Sequence, residues 1–284
     1  MKSKILIPVL FAGALTLGLS SCKKTSDATD SSAIESTFEL SGDQAVADNL
    51  TEDTYDVMSE AVENQGLGGA GRVEPITNNN LLCATVTVAP LSGFPKTITI
   101  DFGTVGCTPP GSNITRRGKV IVTLSDTLRR PGSTAVTTFD NYYINNFKKE
   151  GTITWTNTST VGTRSWHRQV QNGKITAPDG RFWLHTSEKD ITQVEGATTP
   201  HNLIDDAFTV TGTGSVTNSN NVTRTSTILQ ALHKRVACEN IDAGVIQFQG
   251  PNHTATLNFG DGTCDRLATI SIDGQQPRTI LLRN

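Results

Sequence analysis

The chain has 284 residues, a net charge of −3, 36% hydrophobic and 18% charged residues. That balance is not basic enough for a nucleic-acid binder, and its apolar content is too high for a wholly disordered chain. The length leaves room for a body of roughly 200 residues folded as one domain.

Residues 1–21 read as a signal peptide. Lys2 and Lys4 form a basic start, and the apolar run from Ile5 to Leu19 is too short to be a comfortable membrane span. The run ends in Leu19-Ser20-Ser21-Cys22, which resembles the lipobox of bacterial lipoproteins. The resemblance implies cleavage behind Ser21, diacylation of the Cys22 sulfur and acylation of its amine. Cys22 is then a membrane anchor, expected at the cell outer membrane on either its periplasmic or its surface side. A cut nearby that leaves Cys22 a free thiol is the alternative. No later segment reads as apolar enough to span a bilayer.

Residues 22–42, rich in Ser, Thr and Asp, read as the lipidated cysteine followed by an acidic flexible tether. An amphipathic helix is expected over 43–65. Ser41-Gly42-Asp43-Gln44 has capping-box form, Val46, Leu50, Val57 and Ala61 fall on one face, and Gly66 can stop it. Its narrow apolar stripe needs a partner, either the β body or another protein. From Thr25 to Gln65 there are eleven acidic residues and no Lys or Arg, whereas 66–284 holds 16 acidic and 20 basic ones. The acidic element either rests against a weakly basic body or presents a solvated face. Residues 66–80 follow as a Gly-rich linker. Gly66-Leu67-Gly68-Gly69-Ala70-Gly71 matches G-x-G-x-x-G, but it follows a helix where a dinucleotide site would have it follow a strand.

Residues 81–284 read as a single antiparallel β domain that opens and closes on one motif. TIDFGTVGC (Thr99 to Cys107) returns as TLNFGDGTC (Thr256 to Cys264), keeping Thr, Phe, Gly and Cys in place. Cys83 stands 24 residues before Cys107, and Cys238 stands 26 before Cys264. Between the first two cysteines two alternating runs flank a Gly/Pro turn, a hairpin signature with both cysteines at its open end. Cys83 is therefore expected to bond Cys107, and Cys238 to bond Cys264, in an exported and oxidising setting. Asp101-Phe102-Gly103 is a magnesium-binding triplet in kinases, but Asn258 replaces Asp101 in the second copy. Phe102 and Phe259 read as core anchors, and Gly103 and Gly260 as exits from a strand.

Further strands are expected at 118–125, 134–144, 151–158, 164–170, 181–194, 207–216, 222–232, 245–248, 254–259, 268–272 and 278–282, with 173–177 either a short strand or a turn. No long helical period appears after residue 66. The fold class is all-β, an antiparallel meander forming a curved sheet or partial barrel, with a β-sandwich as the alternative.

The pattern resembles a group of Bacteroidetes envelope lipoproteins with a Cys-flanked [Asp/Asn]-Phe-Gly hairpin near each end. It is carried by Asp101 to Cys107, Arg117-Gly118-Lys119, Phe139 to Tyr143, Glu150-Gly151-Thr152 and Phe259 to Asp265. The resemblance implies an envelope lipoprotein and carries over no catalytic residues.

Chemistry-bearing patterns are sparse. His167, His185, His201, His233 and His253 are isolated, no paired zinc spacing occurs, and no nucleophile elbow is present. No enzymatic activity, cofactor or metal is expected. Asp205-Asp206 and Glu188-Lys189-Asp190 read as a loop and the wet face of a strand. Tyr142, Tyr143, Trp155, Trp166 and Trp183 fall in the central strands; gathered on one face they suit an apolar-ligand cavity or a sugar platform, otherwise a core. The expected function is a lipid-anchored binding or interaction module, whose partner is the membrane through Cys22 together with an apolar ligand, a glycan or an envelope protein. A carrier of apolar ligand and a glycan-active enzyme are the alternatives.

Overall fold

The computed structural model describes residues 24–69, 79–81, 83–200, 202–250 and 252–282. The signal segment, Cys22 and most of the Gly-rich linker lie outside the described residues. Helix α1 runs from Lys24 to Asn64, through the stretch expected as a tether, which corrects that expectation from Lys24 onward. Several of its polar side chains bond within the helix or to the body. Thr37 and Ser41 donate to the carbonyls of Ala33 and Thr37, both at 2.8 Å, so Ser41 is a helix-interior residue rather than a cap. Glu35 pairs with Arg278 at 2.9 Å and Glu39 with Arg181 at 3.1 Å. The C-terminus closes at Gly66, where Gly66 N–H donates to Glu63 and Leu67 N–H to Val62, a Schellman arrangement. Among the described residues no helix is long and apolar enough to cross a membrane.

Thirteen strands follow: β1 (Thr85–Ala89), β2 (Lys96–Asp101), β3 (Arg116–Leu124), β4 (Thr134–Ile144), β5 (Phe147–Asn157), β6 (Ser165–Thr176), β7 (Phe182–Glu195), β8 (Ala207–Asn218), β9 (Thr223–Arg235), β10 (Ala243–Gln249), β11 (Thr254–Asp261), β12 (Leu267–Ile272) and β13 (Arg278–Leu281). Each pairs antiparallel with the next in one sheet. Of the undecided stretch 173–177, residues 173–176 continue β6, which resumes pairing with β7 at Gly173 after a register shift.

The expected curved sheet or partial barrel is corrected, and so is the β-sandwich alternative. One open sheet is present, with β1 and β13 as free edges, and no second sheet accompanies it among the described residues. The physical reason lies in what covers the apolar face. A sheet of this size must shield that face, and both expectations shield it with more sheet. Here α1 does so, packing against strands from β2 to β12. Leu40, Leu50, Val57, Met58 and Ala61 of the helix join Ile98, Val120, Trp155, Val210 and Ile270 of the strands in one core.

The repeated motif has the same local chemistry in both copies. Asp101 Oδ1 accepts the N–H of Gly103 at 2.8 Å, and Asn258 Oδ1 accepts that of Gly260 at 2.8 Å. Either carboxylate or amide oxygen serves, which explains why Asp and Asn interchange here. Phe102 and Phe259 are buried, while Gly103 and Gly260 adopt φ of 72° and 100°, left-handed backbone that favours glycine. Both expected disulfides are present, with Cα atoms 5.8 Å apart for Cys83–Cys107 and 5.3 Å for Cys238–Cys264. Gly118, inside Arg117-Gly118-Lys119, sits at a register shift of β3 on β4; a Cβ there would meet the Asn141 carbonyl oxygen at 2.0 Å.

Candidate functional site

From Leu40 to Glu63 almost every side chain of α1 is buried, acids included. The strands supply the counter-charges. Arg116 of β3 grips Asp53 through two bonds of 2.6 and 3.1 Å, and Arg168 of β6 meets Glu52 at 2.7 Å. Lys189 of β7 meets Asp48 at 2.5 Å, and Lys234 of β9 meets Asp56 at 3.0 Å. Lys149 of β5 donates to the Leu50 carbonyl at 2.7 Å and to the Thr51 and Thr54 hydroxyls. The acidic helix thus rests against the basic body, the first of the two readings of its charge. Its burial is not confined to the one apolar stripe expected to need a partner. Lys189, expected on a wet strand face, is corrected to a buried partner of the helix.

Such pairs specify position more than they stabilise, because desolvating both ions offsets most of their attraction. Burial dominates the titration of several acids. It pushes Asp43 and Asp56 up to about 6 against the pull of Arg181 and Lys234, and Glu60 up to about 7. His185 is buried on the same face as Lys149, Lys189 and Arg168. Burial first, then these cations, hold its imidazole down to about 3, so it is neutral.

The aromatic candidates are divided among packing roles. Tyr142 is buried between Phe102 and Phe139, and the Arg117 guanidinium lies 3.4 Å over the ring of half-buried Tyr143. Trp155 packs 4.8 Å from Tyr55 of α1, with Trp166 and Phe208 on the same tyrosine. Trp183 is buried beside Phe147. The structure therefore brings Trp155 and Trp166 together and leaves Trp183, Tyr142 and Tyr143 elsewhere. Sequence reasoning missed Tyr55 as their hub. The available signal was an aromatic set among the acids of the helix, between Asp53 and Asp56.

The other sequence candidates are absorbed locally. His167, His233 and His253 each place Nδ1 within 2.7–2.9 Å of an aspartate, respectively Asp190, Asp242 and Asp273; His201 lies outside the described residues. Asp205 accepts from Thr199 and Asn202, while Asp206 is buried and accepts from Gln193 at 2.8 Å. Cys238, Asp242 and Cys264 bring potential metal-ligating atoms within 4.8 Å of one another. The two sulfurs are bonded to each other, and Asp242 already accepts from His233 and from Arg235 at 2.6 Å, so this set is spent while the disulfide stands.

Several clefts remain among the described residues, and three of them contain arginine side chains. One of about 330 Å³ lies beside the first half of the buried helix, lined by Phe38, Val46, Phe147, Trp183, Ile280 and Leu281 among others. A second, of about 230 Å³, is polar and includes Asp53, Asp56, Arg116 and Glu239. The third, of about 360 Å³, gathers Arg129, Ser159, Thr160, Thr163, Arg164 and Trp166. No protein-family model, curated protein or solved structure matches this chain.

Proposed function

We propose that this chain is an envelope lipoprotein, anchored through Cys22 at the cell outer membrane, whose β body is a non-enzymatic binding module. One observation carries the binding-module reading: α1 covers the apolar face with a paired, charged interface, which leaves ligand recognition to clefts at the surface. The anchor reading rests on the lipobox-like residues Leu19 to Cys22. Helix α1 begins two residues beyond Cys22, so the anchor would couple to the buried core through helix. From Lys24 to Leu40 the helix rises by roughly 24 Å.

The test is membrane fractionation of wild type and Cys22→Ala with an acyl label. The proposal predicts label and membrane association in the wild type, both lost on substitution; a Cys22→Ala chain that stays membrane-bound contradicts it.

A carrier of lipid or another apolar ligand is the second reading. It is favoured by the cleft lined by Phe38, Val46, Phe147, Trp183 and Ile280. Lipid extraction with native mass spectrometry on the chain after Cys22 separates the readings, since a carrier holds stoichiometric lipid and the interaction module gives a clean mass. The glycan-active enzyme has no such support: in the acid-lined cleft Asp53 and Asp56 are held by Arg116 and Lys234.

A further inference from the structure

We propose that the cleft formed by Arg129, Arg164 and Trp166 with the hydroxyls of Thr160 and Thr163 binds an oxyanion, a phosphate or carboxylate group carried on a small polar ligand. This deepens the binding-module reading by naming a ligand class, and the Cys22 experiment does not depend on it.

The cleft is built by turns far apart in sequence. The β3–β4 connection supplies Arg129 and Pro131, the β5–β6 turn supplies Ser159 to Arg164, β6 supplies Trp166 and the β7–β8 connection supplies Ala197. No carboxylate is among the lining residues. The Ser159 hydroxyl is taken up by Ser165, donating to its carbonyl at 3.3 Å and accepting its N–H at 3.0 Å, whereas the guanidiniums and the indole N–H can only donate and the Thr160 and Thr163 hydroxyls can do so, so a ligand with strong acceptors complements them.

The two arginines differ in how the protein satisfies them. Arg129 pairs with buried Glu63 and donates to the Pro200 carbonyl at 2.8 Å. Arg164 is half-buried, reaches Gln193 Oε1 only at 3.4 Å, and makes no carboxylate ion pair among the described residues. Burial and then the like charge of Arg129 both press its pKa down, the sign of a cation short of counter-charge. Asp206, behind Gln193, does not supply a full negative charge at neutral pH, because burial pushes its carboxyl up to about 7. Trp166 is 3% exposed and its indole N–H has no acceptor. A buried donor and an unpaired guanidinium on one cleft are each unfavourable without a partner, and a single oxyanion relieves the guanidinium by charge-assisted bonding. A volume of about 360 Å³ falls in the range of small-ligand sites.

The test is isothermal titration of the full chain with inorganic phosphate, with glucuronate and with glucose as the uncharged control. Binding of phosphate, of glucuronate or of both supports the proposal and identifies the source, with glucose silent. Arg164→Gln should weaken that binding by about tenfold or more, the worth of one charge-assisted bond. Thr160→Val, which keeps both arginines, should weaken it by a smaller factor. The proposal is overturned if neither anion binds at tens of millimolar, if glucose binds as well as the anions, or if Arg164→Gln binds like wild type.

Discussion

Arg164, the last residue before β6, and Arg168, within it, stand four residues apart, and the protein treats them in opposite ways. Arg168 is fully buried, bonds Glu52 of the helix at 2.7 Å and lies over the ring of Trp155. Arg164 sits at the lip of an open cleft, with another arginine for a neighbour and no carboxylate at ion-pair distance among the described residues. The difference shows how charge is used in this fold. Where the sheet meets the helix, Arg116, Arg168, Lys189 and Lys234 are each answered by an acid of α1; at the cleft one cation is left for something outside the chain.

The largest expected effect comes from breaking the answered side. Arg168→Leu leaves Glu52 buried and unpaired and should cost about 3–5 kcal/mol in urea unfolding, whereas Arg168→Leu with Glu52→Leu should recover most of the loss. A single substitution costing under about 1 kcal/mol would show that the pair does not organise the interface.

The titration of the buried acids gives an intermediate effect of defined sign. Asp43 and Asp56 titrate at about 6 and Glu60 and Asp206 at about 7, all above their ordinary values of 3.8 or 4.5. Between those limits the folded chain holds protons that the unfolded chain has released, so stability rises as pH falls from 8 towards 5. His185 acts against this below its ordinary 6.5, because its imidazole stays neutral down to about 3 in the folded chain. Four acids outweigh one histidine in the shared window, so the melting temperature should be higher at pH 5.5 than at pH 8. Asp206→Asn should flatten the upper part of that slope, and a melting temperature that climbs towards pH 8 would refute the assignment.

The smallest effect belongs to the unanswered side: Arg164→Gln should change stability by no more than about 0.5 kcal/mol, since it removes no ion pair. A loss comparable to that of Arg168→Leu would mean that Arg164 is structural after all.

Much of this fold is legible in the sequence because period-2 alternation and cysteine spacing are local signals. The span of β4 and both disulfides are readable from residues alone. The buried cations were also present as a pattern: Trp166, Arg168 and Val170 share one face of β6, so the strand's parity places Arg168 inside while its charge suggests outside. The same conflict hid the first half of α1, whose Ser, Thr and acidic residues read as solvated, although Glu35 and Glu39 meet arginines of the body and Thr37 and Ser41 donate to i−4 carbonyls. The cleft had no sequence signal, because Arg129, Arg164 and Ala197 come together only through the sheet.

The most direct measurement is a thermal melt of wild type and Arg164→Gln in increasing inorganic phosphate or glucuronate. A ligand that binds only the folded chain raises its stability with concentration. The account predicts a rise in melting temperature for the wild type with at least one of these anions, and little or none for Arg164→Gln, with matching temperatures when no anion is added. Equal rises in both proteins, or no rise in either, would contradict it.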